Sequence, residues 1–123
     1  MTKARIILTT AGSRAEAEKI ASALVSERLA ACVNIMGPVE SHYRWKGKVE
    51  KAAELMLLVK TAAAVAAKTS ARIRELHSYE APEIVVLQID GGDNLYLKWL
   101  AGCVEDKAKG KRQKEKGNRA LKS

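Results

Sequence analysis

The sequence predicts an α+β fold: a ferredoxin-like βαββαβ sandwich followed by a short C-terminal helix. Three observations predict it. Apolar runs of strand character alternate with helical stripes in the order strand, helix, strand, strand, helix, strand. Residues 31–61, ACVNIMGPVESHYRWKGKVEKAAELMLLVKT, read as one long hairpin, longer than a chain of 123 residues needs to cover its own core. The strands are also apolar on both sides, whereas the helices of this plan cover only one sheet face. The second face and the unpaired backbone of the hairpin must find partners, and another copy of the chain is the simplest supplier.

Residues 4–10, ARIILTT, form a buried strand that Gly12 breaks. Ser13 is placed to cap a helix, and Glu16 three residues on completes a capping box. The helix over 14–28 carries one apolar stripe, Ala17, Ile20, Ala21 and Leu24. Strand two starts near Ala31 and is interrupted at Gly37-Pro38, because proline cannot donate to a ladder; a bulge or bend is expected there, with the strand resuming over 39–45. Trp45-Lys46-Gly47-Lys48 makes the turn. Strand three covers 48–60 and is densest at Leu55, Met56, Leu57, Leu58 and Val59. Thr61 is placed to cap a helix over 62–76 with a core stripe of Val65, Thr69, Ile73 and Leu76. A loop at 77–82 leads into 83–90, EIVVLQID, read as a central strand. Gly91-Gly92 ends it. Asp93 caps a helix over 94–101 whose apolar part is Leu95, Tyr96, Trp99 and Leu100.

Composition sets the bounds. The length suits one domain with a modest core. No apolar run of about 18 residues occurs, so no membrane association is expected. The first residues lack a secretory pattern, which points to a cytoplasmic protein. Cys32 and Cys103, far apart and with no CxxC pair, are too few for a disulfide framework and fit a reducing compartment. The net charge of +8 is concentrated: residues 107–123, KAKGKRQKEKGNRALKS, carry +7 and the remainder only +1. That division sets the expected domains, a folded unit over 1–106 and a basic tail over 107–123. The tail has too little apolar surface to offset its ordering entropy and is expected to be disordered. Its alternative role is a non-specific contact with nucleic acid.

Chemistry concentrates in HSYEAPEI, residues 77–84. His77 lies at a helix C-terminus, Glu80 and Glu83 offer carboxylates, and Tyr79 a phenol. The structural alternative is that Pro82 shapes a turn, Tyr79 packs its ring and His77 caps. Possible metal ligands are His77, Cys32, His42, Cys103 and the nearby acids, without the local spacing of a zinc ribbon or an HExxH helix. Copper would prefer the thiol and imidazole groups. GxSxG, GxxxxGK and GxGxxG are absent. His77 with Glu80 is the one candidate acid–base pair, and no enzymatic activity is expected. The chain has no Phe, and its first and last strands carry no aromatic residue, which argues against RNA recognition by a sheet of this topology. Tyr43 and Trp45 at the hairpin tip, together with Lys60, either form part of a ligand pocket or pack on a neighbouring subunit.

Over residues 4–101 the chain resembles the CutA divalent-cation tolerance family. The matching stretches are ERLAACVNI, SHYRWKGKVE, E-x-x-L-x-x-K-T at Glu54–Thr61, HSYEAPEI and YLKWL, in that order. The resemblance implies a tight homotrimer, with strands of adjacent subunits pairing edge to edge and an architecture similar to that of PII signalling proteins. It implies a role in tolerance of copper or other divalent cations, no organic cofactor, and metal donors at His77 and Cys32. The expected ligand pocket lies between subunits near Tyr43, Trp45, Lys60, Tyr79 and Glu80. The alternative is a structural or signalling trimer whose basic tail contacts nucleic acid. Two departures stand out: Ser78 replaces the proline usual after the histidine, loosening the loop, and the basic tail runs past the usual ending.

Overall fold

The computed structural model describes residues 2–104. The basic segment over 107–123 and the boundary expected at residue 106 lie outside them. The elements are β1 (Ala4–Ala11), α1 (Arg14–Ser26), β2 (Cys32–Trp45), β3 (Lys48–Ala62), α2 (Ala66–Leu76), β4 (Val85–Gln88) and α3 (Asn94–Cys103). The strands form an antiparallel sheet in the order β2-β3-β1-β4. The α+β, ferredoxin-like prediction therefore holds within one chain.

Period-two alternation sorts the side chains of the sheet. Ile7, Leu55, Leu57 and Val59 face α1 and α2 and form the core with Ala11, Ala17, Ile20, Leu24 and Ile73. The other parity set, Ile6, Leu8, Met56, Leu58 and Lys60, points away from those helices. Part of that second face is covered by α3: the Lys60 ammonium lies 5.9 Å from the Tyr96 ring, Leu100 is buried, and Val104 packs with Ala62 and Val65. Leu95, expected among the apolar contacts of this helix, is instead 75% exposed.

Local chemistry explains the element ends. The Ser13 hydroxyl accepts from the Glu16 N–H at 3.2 Å, the expected N-cap. The reciprocal half of the box differs, because Glu16 accepts from Gly12 N–H rather than from Ser13. Helix α1 stops two residues short of 28: Arg28 turns left-handed with φ 62, and the N–H groups of Leu29 and Ala30 close on the Leu24 carbonyl. Gly37-Pro38 forms the expected bulge, shifting the β2–β3 register between Met36 and Val39. Lys46 (φ 50) and Gly47 (φ 81) make a two-residue turn with positive φ at both positions, the geometry that matches strand twist.

Two expectations are corrected. Thr61 does not cap α2. Strand β3 runs on to Ala62, opposite Ala4, and the Thr61 hydroxyl instead donates to the Leu29 carbonyl at 2.8 Å, which the Thr69 hydroxyl also reaches at 2.8 Å. Nor is β4 central. It has four residues, pairs only with β1 among the described strands, and exposes Val85, Val86 and Leu87 at 44, 46 and 43%. Its apolar run signalled cover on both faces, but cover supplied by its own chain is only partial.

Candidate functional site

The site lies where the hairpin outruns the rest of the sheet. Strand β1 ends at Ala11, opposite Leu55. From Glu54 outward β3 has only β2 beside it, in the pairs Glu54–Val39 to Lys48–Trp45. The loop between α2 and β4 folds over the end of β1, and a cavity of about 640 Å³ opens between that loop and the hairpin. The hairpin supplies Ser41, His42, Tyr43, Arg44, Trp45 and Glu54; the loop supplies Tyr79, Glu80, Ala81 and Glu83; Thr10 forms part of the lining.

Four side chains fix the loop. The His77 side chain is fully buried. Its Nδ1 accepts from the Tyr79 N–H at 3.1 Å, and its Nε2 bonds to the Thr10 carbonyl. A backbone N–H can only donate and a carbonyl only accept, so the ring is the neutral tautomer protonated at Nε2. The Tyr79 ring stacks at a tilt on His77, with centroids 4.6 Å apart. Its hydroxyl donates to Glu54 Oε2 at 2.8 Å, and burial, reinforced by that carboxylate, pushes the phenol pKa well up. Gly12 makes room for this: a Cβ there would sit 2.9 Å from the Tyr79 oxygen. Glu16 ties α1 to the loop by accepting from Ser78 N–H at 2.8 Å. Burial works against its charge, but the hydrogen bonds from Ser78 and Gly12 outweigh that, and its pKa is lowered.

Of the residues expected to line a ligand pocket, Tyr43, Trp45, Tyr79 and Glu80 all line this cavity. Lys60 does not; it lies against α3 on the second sheet face. Cys32 and His77, the expected metal donors, are not joined within one subunit. Cys32 is in register with Lys60 and Ile6, while His77 is bonded to Thr10, four residues further along β1, on the order of 13 Å of strand. Cys32 is half-buried, and its thiol lies 3.8 Å from Asn34 Oδ1. Both His77 nitrogens are already engaged, and among the described residues no three His, Cys, Asp or Glu side chains converge as a metal site requires. One subunit therefore does not fit a resident metal ion at these residues. Sequence reasoning passed over Glu54 as a pocket residue. Its signal was the second of two carboxylates on strand three, Glu50 and Glu54, standing where the apolar run begins and sharing the parity of Met56 and Leu58.

An antiparallel sheet with two helices on one face, a third helix on the other, and a cavity at the root of an overlong hairpin defines a small ferredoxin-like α+β protein. Residues 5–103 match the family model described as CutA1 divalent ion tolerance protein. The chain is 50% identical over 95 residues to the divalent-cation tolerance protein CutA of Thermus thermophilus, covering 77% of this chain and 92% of that one. It is 38% identical to the chloroplastic protein CutA of Arabidopsis thaliana over 77% of this chain but 52% of that longer one. The crystal structure of CutA from Xylella fastidiosa superposes with a TM-score of 0.83 at 36% identity, covering 85% of this chain and 100% of that one. The chain belongs to the CutA1 divalent ion tolerance family.

Proposed function

We propose that the protein works as a non-enzymatic homotrimer in the cytoplasm that binds a divalent cation, copper in the first instance, between subunits and holds a small ligand in the cavity at the hairpin root. The observation that carries the reading is the position of Cys32. Its thiol lies on the sheet face turned away from α1 and α2, at the β2 edge, with Met36 48% exposed on the same strand face. A copy packed there would bring further donors to a soft sulfur ligand that has only Asn34 Oδ1 beside it among the described residues. His77 joins the donor set once the Tyr79 amide releases Nδ1. The family to which the chain belongs, named for divalent ion tolerance, supports the cation.

The test combines mass and binding. Sedimentation equilibrium is expected to give three times the subunit mass, and calorimetric titration with copper(II) a saturable signal. Cys32→Ser is expected to abolish that signal and His77→Ala to weaken it. A monomer in dilute solution, or copper binding indifferent to both substitutions, overturns the reading.

A further inference from the structure

We propose that the hairpin-root cavity binds an organic ammonium ion, quaternary or N-alkylated; this rests on the reading of the cavity as the ligand pocket. Its volume of about 640 Å³ suits a small organic molecule rather than a bare ion. Three aromatic rings, Tyr43, Trp45 and Tyr79, line it, and each keeps 38–44% of its surface exposed. Ring faces attract cations electrostatically, and they favour weakly hydrated ones, which lose little solvation on entering.

The charge of the lining agrees. Glu54, Glu80 and Glu83 line the cavity. Glu54 is only 8% exposed, and one of its oxygens holds the Tyr79 hydroxyl. The other has no partner among the described residues, nor do the carboxylates of Glu80 and Glu83. Opposing them are Arg44 and His42, the latter tied to Glu40 at 2.7 Å. The acids do not converge on one point as a metal ion requires. Dispersed negative charge around aromatic walls suits a cation whose own charge is spread over alkyl groups. Trp45 already draws one ammonium, that of Lys46, which lies 5.7 Å from its ring centroid.

Calorimetric titration of the full chain with choline chloride, beside its uncharged isostere 3,3-dimethylbutan-1-ol, tests this. Saturable choline binding is expected, with none for the isostere. Trp45→Ala is expected to weaken choline binding about tenfold while leaving copper binding unchanged. Glu54→Gln keeps an acceptor for Tyr79, and Glu80→Gln alters only an exposed loop side chain; each is expected to weaken choline binding. No choline signal, equal binding of the isostere, or indifference to all three substitutions overturns the proposal. Loss of copper binding with choline binding intact would remove the metal reading alone.

Discussion

Tyr79 is the residue on which the site turns. Its N–H fixes the His77 tautomer and its hydroxyl holds Glu54. Tyr79→Phe strips the buried carboxylate of its donor, and a loss of about 1–3 kcal/mol in unfolding free energy is expected from chemical denaturation. The phenol also carries a pH signature. Its folded pKa lies above the ordinary 10.0, so its contribution is complete below pH 10 and is lost as pH rises beyond it, where the unfolded chain releases the proton first. Wild-type stability is expected to fall more steeply than that of Tyr79→Phe above pH 10. Glu16 acts in the opposite direction. Its folded pKa lies below the ordinary 4.5, so its contribution is present above pH 4.5 and is lost as pH falls through the folded value. Glu16→Gln is expected to flatten the acid limb of a thermal-unfolding series between pH 3 and 7, and an unchanged limb would show that its bond to Ser78 N–H carries no charge-dependent stability. The sequence made most of this loop legible, since HSYEAPEI gathers titratable groups in one place. It could not reveal Glu54, because the partner that makes that residue part of the site is 25 positions away. Lys60 lies apart from this cavity: the parity that puts it on the second sheet face was readable, but the contact with Tyr96 was not.

At the scale of the element, the hairpin depends on two glycines in different ways. Gly47 has φ 81 and open space where a Cβ would go, so Gly47→Ala carries only the left-handed backbone penalty, about 1–2 kcal/mol. Gly37 has φ 137, and a Cβ there would lie 2.9 Å from Leu55 Cδ2 and 3.2 Å from the Glu54 carbonyl. Gly37→Ala must therefore displace the Leu55 side chain and crowd the carbonyl of Glu54, a residue that lines the cavity. It is expected to lower the melting temperature more than Gly47→Ala and to weaken cavity binding as well; equal effects of the two would mean that the bulge does not position Glu54. Strand and helix identities were legible because periodicity reports burial, and burial decides those elements. What stayed hidden was pairing. Thr61 looked like a helix cap because a hydroxyl before an alanine-rich run fits that role, yet its backbone is drawn into the ladder with Arg5 and its hydroxyl to Leu29. The run VVLQ was legible as a strand, but its place at the edge depended on β3 taking the position beside β1.

At the scale of the molecule, the described residues leave open edges along β2, along β4 and along β3 from Glu54 outward. Strand β2 presents a 14-residue edge, on the order of 45 Å long. Strand β4 is short but carries three large apolar side chains that are nearly half exposed. A long edge, interrupted only at the Gly37-Pro38 bulge, and an apolar one on the same subunit are hazards in a monomer, and they resolve together if each β4 edge meets a β2 edge of the next copy around a closed ring. The apolar character of both strand faces made this demand legible from the sequence, while its geometry required the strand order. Leu87→Lys separates the two accounts of that surface. Leu87 is 43% exposed in the single chain and outside its core cluster, so a lysine there should leave the subunit fold and its circular-dichroism spectrum intact. If β4 is an assembly edge, the same lysine places charge in a closed interface. Sedimentation is then expected to shift toward single subunits, with a melting temperature that depends on protein concentration as mass action requires. A Leu87→Lys protein that sediments and melts like the wild type would mean that β4 is not an assembly edge.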